Sequence, residues 1–515
     1  MAQGSATFTR VLACLGVLVS AGGAHAEGIE TTVSGTVGLG RAATVLRVND
    51  FMATWQNPAN LAVVPSTDLG AELRLPLLSA CFDRARDPAL EDDYRTSNPE
   101  LGYYGSEHFR QVCNKGSVMP AGNLGWAQAF ESGWGYGIGF FTPAAVPNLE
   151  FGNDTIVSQQ LDADAEMRPI TTTGEESPNR FLLLKRQQLG GFLQVGAGVR
   201  LSPLVRIGAS LGWGFATLHN RSVASAIGGT FRDQEVLNDL NVSDWFIPRA
   251  LASVVVTPLP SLELAATLLY QGDVDGVGTV DFTGNGIRNA PRGNCRSDNP
   301  GPHCRIEDAR LTAPFPRLSA TLGVRYASLR AGRDRALDPM KDERWDVELN
   351  GSWSQTSHVD QYSVTLFEGD PPGRIALSTA ERSVLQPLPA SFKIPYQWKD
   401  TFGLRLGGDY NLLPELLALR AGLSYESNAT PTSYMNIDAW AVNRFGLHLG
   451  GTVKLGNLKL SIAYAHIFFG SVEVPVGDGK VVEAVSANPM GAQAVNEGDF
   501  TASLNVLSGQ VNYAF

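Results

Sequence analysis

"SGQVNYAF", residues 508–515, is the stretch on which the fold turns. In an extended chain successive side chains point to opposite faces, so Leu507, Gly509, Val511, Tyr513 and Phe515 share one face and Ser508, Gln510, Asn512 and Ala514 the other. One face is greasy, the other wet or small. The run reaches Phe515 in mid-strand, ending on an aromatic ring instead of trailing into polar residues. That ending fits the closing strand of a transmembrane barrel, with apolar residues outward and aromatics at the membrane interfaces.

Working backwards, the same parity recurs. Leu458, Leu460, Ile462 and Tyr464 alternate with Lys459, Ser461, Ala463 and Ala465; Phe445, Leu447, Leu449, Val453 and Leu455 oppose Arg444, His448, Thr452 and Lys454. Leu417, Leu419, Leu423 and Tyr425 stand against Arg420, Ser424 and Glu426, and Phe402, Leu404, Leu406 and Tyr410 against Arg405 and Asp409. Aromatics mark strand ends at Tyr326, Trp345, Trp353, Tyr410, Tyr425, Trp440, Tyr464 and Tyr513, as interfacial girdles do. Tight turns near 411 and 455 alternate with long polar loops around 427–438 and 471–499. Strand centres fall near 70, 126, 138, 193, 210, 253, 265, 320, 350, 402, 420, 448, 462 and 508. The expectation is an all-β fold: a closed, antiparallel transmembrane β-barrel of about 14 strands, because an open edge does not persist in lipid.

Composition permits this. The 515 residues are 43% hydrophobic, and the mean hydropathy of −0.05 looks soluble only because barrel strands alternate their faces. The net charge of −11, without a basic stripe, argues against a nucleic-acid partner. Arg10, the apolar run Val11–Val19 and the Ala24-His25-Ala26 pattern read as a cleaved signal peptide over residues 1–26, leaving Glu27 first in the mature chain. Export and an even number of mature cysteines point to disulfides. Cys81 with Cys113 and Cys295 with Cys304 is the favoured pairing, each bracketing one polar loop. A metal site using His303 beside Cys304 is the weaker reading, so no metal or other cofactor is expected.

Residues 27–63 do not alternate. "GLGRAATVLRVNDFMATWQNPANLAVVP" contains a short helical stretch before an Asn-Pro turn, in which Pro58 fixes φ and Asn57 caps a neighbouring backbone group. Although "GLGRAA" satisfies G-x-G-x-x-A, the chain lacks the strand–helix–strand unit that a dinucleotide site requires. Residues 27–63 are expected as a plug in the lumen of a barrel over residues 64–515.

On Gly38, Gly40, Arg41, Asn57, Pro58, Ala59 and Leu61, with Trp353-Ser354, Trp398-Lys399-Asp400 and the terminal Asn512-Tyr513-Ala514-Phe515, the chain resembles the FadL/TodX family of outer-membrane transporters for long-chain fatty acids and other hydrophobic compounds. The resemblance implies an N-terminal hatch built on those first six residues, passive uptake, and hydrophobic small molecules and outer-membrane lipid as partners; hatch and lumen would form a complete unit, so a monomer is expected. It also implies a third strand kinked to open the wall sideways. Here the third strand carries Gly133, Gly135, Gly137 and Gly139 on one face, which serve either such an opening or close approach of the hatch. It implies capture between external loops at roughly 217–247 and 271–309; in the former, Ile227, Phe231, Leu237, Trp245 and Phe246, with Val236, Leu240 and Val242, are partly at helical spacing and form either an exposed apolar groove or, more commonly, the loop's own small core. A deeper pocket would need a cationic or hydroxyl partner for a carboxylate head, with Arg405, Arg420, Arg444 and Lys454 as candidates, although charges in the lumen are normal in any barrel. A general porin or a structural outer-membrane barrel is the alternative. Catalysis is not expected: the histidines His108, His219, His303, His358, His448 and His466 show no spacing with a serine that carries a mechanism.

Overall fold

The structure is a computed structural model describing residues 34–43, 45–65, 67–85, 111–142, 148–151, 178–225, 235–284, 291–330, 338–378, 383–482 and 494–515. The signal-peptide reading therefore lies outside the described residues. Fourteen strands make the barrel: β1 Asp68–Arg84, β2 Ala121–Ala129, β3 Trp134–Phe141, β4 Lys185–Arg200, β5 Val205–Ser225, β6 Glu235–Leu259, β7 Leu262–Gln271, β8 Leu318–Leu329, β9 Glu343–Ser354, β10 Thr401–Leu413, β11 Leu417–Glu426, β12 Arg444–Leu455, β13 Leu458–Phe469 and β14 Gly498–Ala514. Each pairs antiparallel with its sequence neighbours. β14 then closes on β1 from Asp68↔Ala514 to Arg84↔Gly498. Every expected strand centre lies in one of these strands.

The outward face explains why the alternation exists. Leu211, Leu322, Phe402, Leu449 and Ile462 point away from the barrel and are between 59% and 71% exposed. An apolar surface of this extent is incompatible with water and matches hydrocarbon. Tyr326, Trp345, Tyr410, Tyr425, Tyr464 and Tyr513 are also exposed, as girdle residues should be. Trp440 is a correction: it is fully buried in the 427–443 loop, its indole N–H donating to Ile437 O at 2.9 Å.

The alternation inverts partway along several strands. In β14, Ser508, Gln510 and Asn512 point inward near the short turns, whereas Phe500, Leu504 and Val506 are the buried inward residues at the other end. Outward, Leu507 and Val511 give way to Asn505, Ser503 and Thr501. β1 changes the same way, from inward Asp68, Glu72 and Arg74 to inward Ala80 and Phe82. Ser461 gives way to Ala465, Ile467 and Phe469 in β13. At the long-loop end the strands leave hydrocarbon, so their polar residues turn outward and their apolar residues line the interior.

The loop ends are themselves folded. Strands at Val274–Gly284, His303–Ala313, Gln361–Thr365 and Ser391–Pro395 extend the sheet beyond the upper half of β6. Residues 217–225 and 235–247 consequently belong to β5 and β6, not to a loop, and the helical spacing read there is strand parity: Val236, Leu240 and Val242 point inward. The disulfides join Cys81 to Cys113 and Cys295 to Cys304, as favoured. Each ties a loop segment to a strand, Cys81 lying in β1 and Cys304 in His303–Ala313.

An arginine on the outer face should find no water. Ile462→Arg is expected to destabilise the barrel by about 2–4 kcal/mol if this position lies near the bilayer midplane, measured by reversible denaturant unfolding in lipid vesicles, while Ser461→Ala on the inner face should cost far less.

Candidate functional site

The N-terminal segment lies against inward side chains and backbone of strands around the whole circumference. Its first helix, α1 (Thr36–Arg41), ends at Ala42 in the left-handed region, φ 62°. α2 (Ala53–Gln56) precedes the Asn-Pro turn, and a 3-10 turn (Pro58–Val63) follows with Pro58 at its first position. Asn57 works as the sequence suggests: its carbonyl oxygen accepts from Ala59 N at 3.2 Å and its amide donates to Val45 O at 2.6 Å. Ala59 N also donates to Ser253 Oγ of β6 at 2.9 Å.

Charge fixes the first half of this segment. Arg41 is fully buried and meets Asp346 at 2.6 Å, Glu348 at 3.3 Å and Asp409 at 3.4 Å. Glu348 in turn accepts from the consecutive backbone N–H groups of Val45, Leu46 and Arg47 at 3.0–3.2 Å. Arg325 bridges Asp346, Glu343 and Glu263, and Arg206 adds a second cation to Glu263. Burying any one of these ions alone would be costly; in combination their charges and hydrogen bonds compensate.

Apolar contact fixes the second half. Trp55 stacks on Phe141 with ring centroids 5.4 Å apart and lies 5.7 Å from Phe192, while the Arg249 guanidinium covers its other side at 3.6 Å. Here the glycines of β3 acquire their reason. A Cβ at Gly135 would overlap the carbonyl of Leu61, and one at Gly137 would overlap Thr54 Oγ1, so the wall is thinned for the segment to approach. Trp134–Phe141 is paired on both sides over its length except at Trp134 and Phe141, where only the β4 ladder continues, and no slot crosses these residues. Of the two readings of the glycine face, close approach is the one seen. Gly133 is not on that face at all: it sits in the β2–β3 turn at φ +89°.

Above the segment, at the long-loop end, lies a cavity of about 50 Å³. Leu218, Leu240, Phe282, Leu311, Val364 and Ile394 are among its walls, and a polar patch at Arg186, Asp438 and Tyr362 interrupts them. Arg186 donates to Asp438 Oδ2 at 2.7 Å, and the Tyr396 hydroxyl donates to the same oxygen at 2.5 Å. Burial pushes the phenols of Tyr362 and Tyr396 above their ordinary range, with the Asp438 carboxylate adding to the effect at Tyr396, so both stay protonated. One buried apolar cluster runs from Val236, Phe282 and Val364 at the mouth through Ile247 and Phe192 to Trp55 and Leu61 of the N-terminal segment. A second cavity, about 40 Å³, lies on the short-turn side and is polar, with Arg47, Asp50, Asp338, Arg420 and Lys459 in its walls.

The expected site residues are distributed unevenly over this geometry. Gly38, Gly40, Arg41, Asn57, Pro58 and Ala59 lie together in the N-terminal segment. Arg405, Arg420 and Arg444 do point inward, but each faces a wall carboxylate: Glu426 at 3.6 Å, Asp409 at 3.4 Å and Glu426 at 2.5 Å. Trp245 and Phe246 form no capture groove. A bulge opposite Phe215 turns both outward, 64% and 68% exposed, and Trp245 stacks on Phe215 at 5.6 Å in the outer aromatic band. Leu237 packs with Val223, Leu184 and Phe181 in a separate small cluster. Ile227 and Phe231 lie outside the described residues. Arg186, Asp438, Tyr396 and Arg249 were not singled out from sequence, since they come from distant segments and no local spacing joins them.

Arg41→Ala would leave Glu348 and Asp409 buried with less compensation. A loss of about 3–5 kcal/mol is expected from breaking such a buried ionic set, together with new protease cleavage within residues 34–63 of the purified protein, both scored against the wild type in the same detergent.

Residues 337–515 match the sequence profile of the family described as outer membrane protein transport protein (OMPP1/FadL/TodX). No curated protein matches the sequence. Among solved structures, the chain is similar to a Pseudomonas aeruginosa FadL homologue at TM-score 0.66 and 15% identity, over 95% of this chain and 100% of the other. It is similar to the P. putida toluene transporter TodX at 0.58 and 13%, over 94% and 99%, and to the Ralstonia pickettii toluene transporter TbuX at 0.54 and 12%, over 94% and 98%. At these identities the likeness establishes the barrel fold. Within the matched region, two family-like stretches meet: Trp353 Nε1 donates to Asp400 Oδ2 at 3.1 Å. The C-terminal third of the chain is thus similar in sequence to the OMPP1/FadL/TodX outer membrane proteins, and its whole barrel shares the fold of the solved transporters.

Proposed function

We propose that the protein carries hydrophobic small molecules, long-chain fatty acids or aromatic hydrocarbons among them, passively across the outer membrane as a single barrel. The observation that carries this reading is the polarity inversion of the strands. A pore for polar solutes would keep a polar, water-filled interior, whereas the long-loop half of this barrel is lined by buried apolar residues down to the N-terminal segment. Residues 34–63 then act as the hatch.

The route has three parts in this proposal. Solute enters the outer cavity between Leu240, Phe282 and Val364, passes along the apolar cluster to Trp55, and leaves through the wall near β3 into the membrane. Sideways release is favoured over straight passage because the cavity beyond the segment is lined by ions and amides, a poor medium for an apolar solute. β2 and β3, at nine and eight residues, are the shortest strands of the wall. With Leu61 and Thr54 lying against Gly135 and Gly137, release there requires the hatch to withdraw and the ladder to part. The general-porin alternative is disfavoured by the apolar lining of the long-loop half, since a porin keeps a polar, water-filled bore. No step calls for a cofactor or a catalytic group.

Uptake of labelled oleate and of labelled toluene by cells with and without the protein tests this directly. Both or either should enter faster with the wild-type protein, and Val364→Arg, which places a charge in the outer cavity, should reduce that gain roughly tenfold, as about 1.4 kcal/mol or more of lost binding would. Equal uptake with and without the protein for both solutes would refute the proposal.

A further inference from the structure

The polar patch of the outer cavity is built asymmetrically. Both hydrogen bonds to the Asp438 carboxylate, from Arg186 and Tyr396, land on Oδ2. Arg186 also reaches the backbone carbonyl of Asp438 at 3.2 Å and Asn220 Oδ1 at 3.4 Å. Its positive charge is thus directed at Asp438. Asp438 Oδ1 is buried and has no hydrogen-bond partner among the described residues, and the same is true of Asn238 Oδ1. Asp438 is 6% exposed and Asn238 7%, and both line the cavity among Leu240, Phe282 and Val364. Two buried acceptors with nothing to accept from, set in an apolar wall, are costly unless a donor arrives.

We propose that the outer cavity takes an apolar solute bearing a hydrogen-bond donor, an alkanol or a phenol, in preference to a carboxylate anion, with Asp438 Oδ1 and Asn238 Oδ1 accepting from the hydroxyl. A carboxylate has no hydrogen to give these oxygens and meets the Asp438 charge, while the nearby cation is already engaged. The Tyr362 and Tyr396 phenols, protonated as described, complete a patch that is polar without net charge. The inference rests on the transport reading above and sharpens it, assigning a head-group class to the first stop on the route.

Equilibrium dialysis of the full chain in amphipol at pH 8, with labelled 1-octanol and octanoate, tests it. The wild type should bind octanol at least tenfold more tightly than octanoate. Because a neutral solute favours an apolar cavity in any case, the decisive quantity is how that ratio changes. Asp438→Asn leaves Arg186 uncompensated and should lower the ratio tenfold or more; Asn238→Leu should weaken octanol severalfold and leave octanoate unchanged. Migration in unheated SDS gels verifies that each variant is folded, and if Asp438→Asn is not, Asn238→Leu decides alone. A wild type that prefers octanoate, or folded variants that keep the wild-type ratio, would overturn the assignment while leaving hydrophobic transport standing. Failure of both solutes to bind would sink the assignment as well, and with labelled oleate and toluene also unbound the transport reading would fall with it.

Discussion

Everything in this molecule depends on the ladder between β1 and β14. A backbone amide or carbonyl left unpaired in hydrocarbon costs several kcal/mol, so the first and last strands of the wall must find each other across most of the chain's length. They do so from Asp68↔Ala514 to Arg84↔Gly498. Closure sets the register of the outer face, and Phe515 ends as an exposed ring 4.9 Å from Tyr513, its N–H donating to Thr67 O at 2.9 Å. The terminal aromatic is held at the short-turn rim by the strand it closes on.

Closure also creates an interior, and the interior is divided. Near the short turns the inward residues are charged or amide-bearing and hold the first half of the N-terminal segment by ions, with Arg41 and Glu348 at the centre. Toward the long loops they are apolar and receive its second half, with Trp55 and Leu61 against β3 and β4. The segment therefore sits on the boundary between two media. An apolar solute arriving from the loop side meets it as the end of its compatible surroundings, which is the physical content of the proposed hatch.

How much of this was legible depended on whether the signal was local. Strand parity is local, so the fourteen strands and the polar inward positions Arg405, Arg420 and Arg444 could be read directly. So could the Asn57-Pro58 turn, whose geometry is fixed by adjacent residues, and the two disulfides, each bracketing one loop. The reading failed where parity changed meaning without changing period. Val236, Leu240 and Val242 alternate as cleanly above the membrane as Leu447 and Leu449 do within it, yet face the other way, and Trp245 and Phe246 are displaced by a bulge that no composition rule marks. The Arg186–Asp438 pair joins residues 252 apart in sequence and had no local trace. The glycines of β3 were visible as a pattern, but the approach of Leu61 to Gly135 and of Thr54 to Gly137 was not.

The central claim is that the barrel is stoppered by its own N-terminal segment. Single-channel conductance in planar bilayers tests it most directly, comparing the wild-type protein with a variant in which residues 34–63 are deleted. The account predicts a barrel that is nearly silent when intact and conducts ions in large, steady steps once the segment is gone. Large, steady conductance from the intact protein, or equal silence from both, would contradict it.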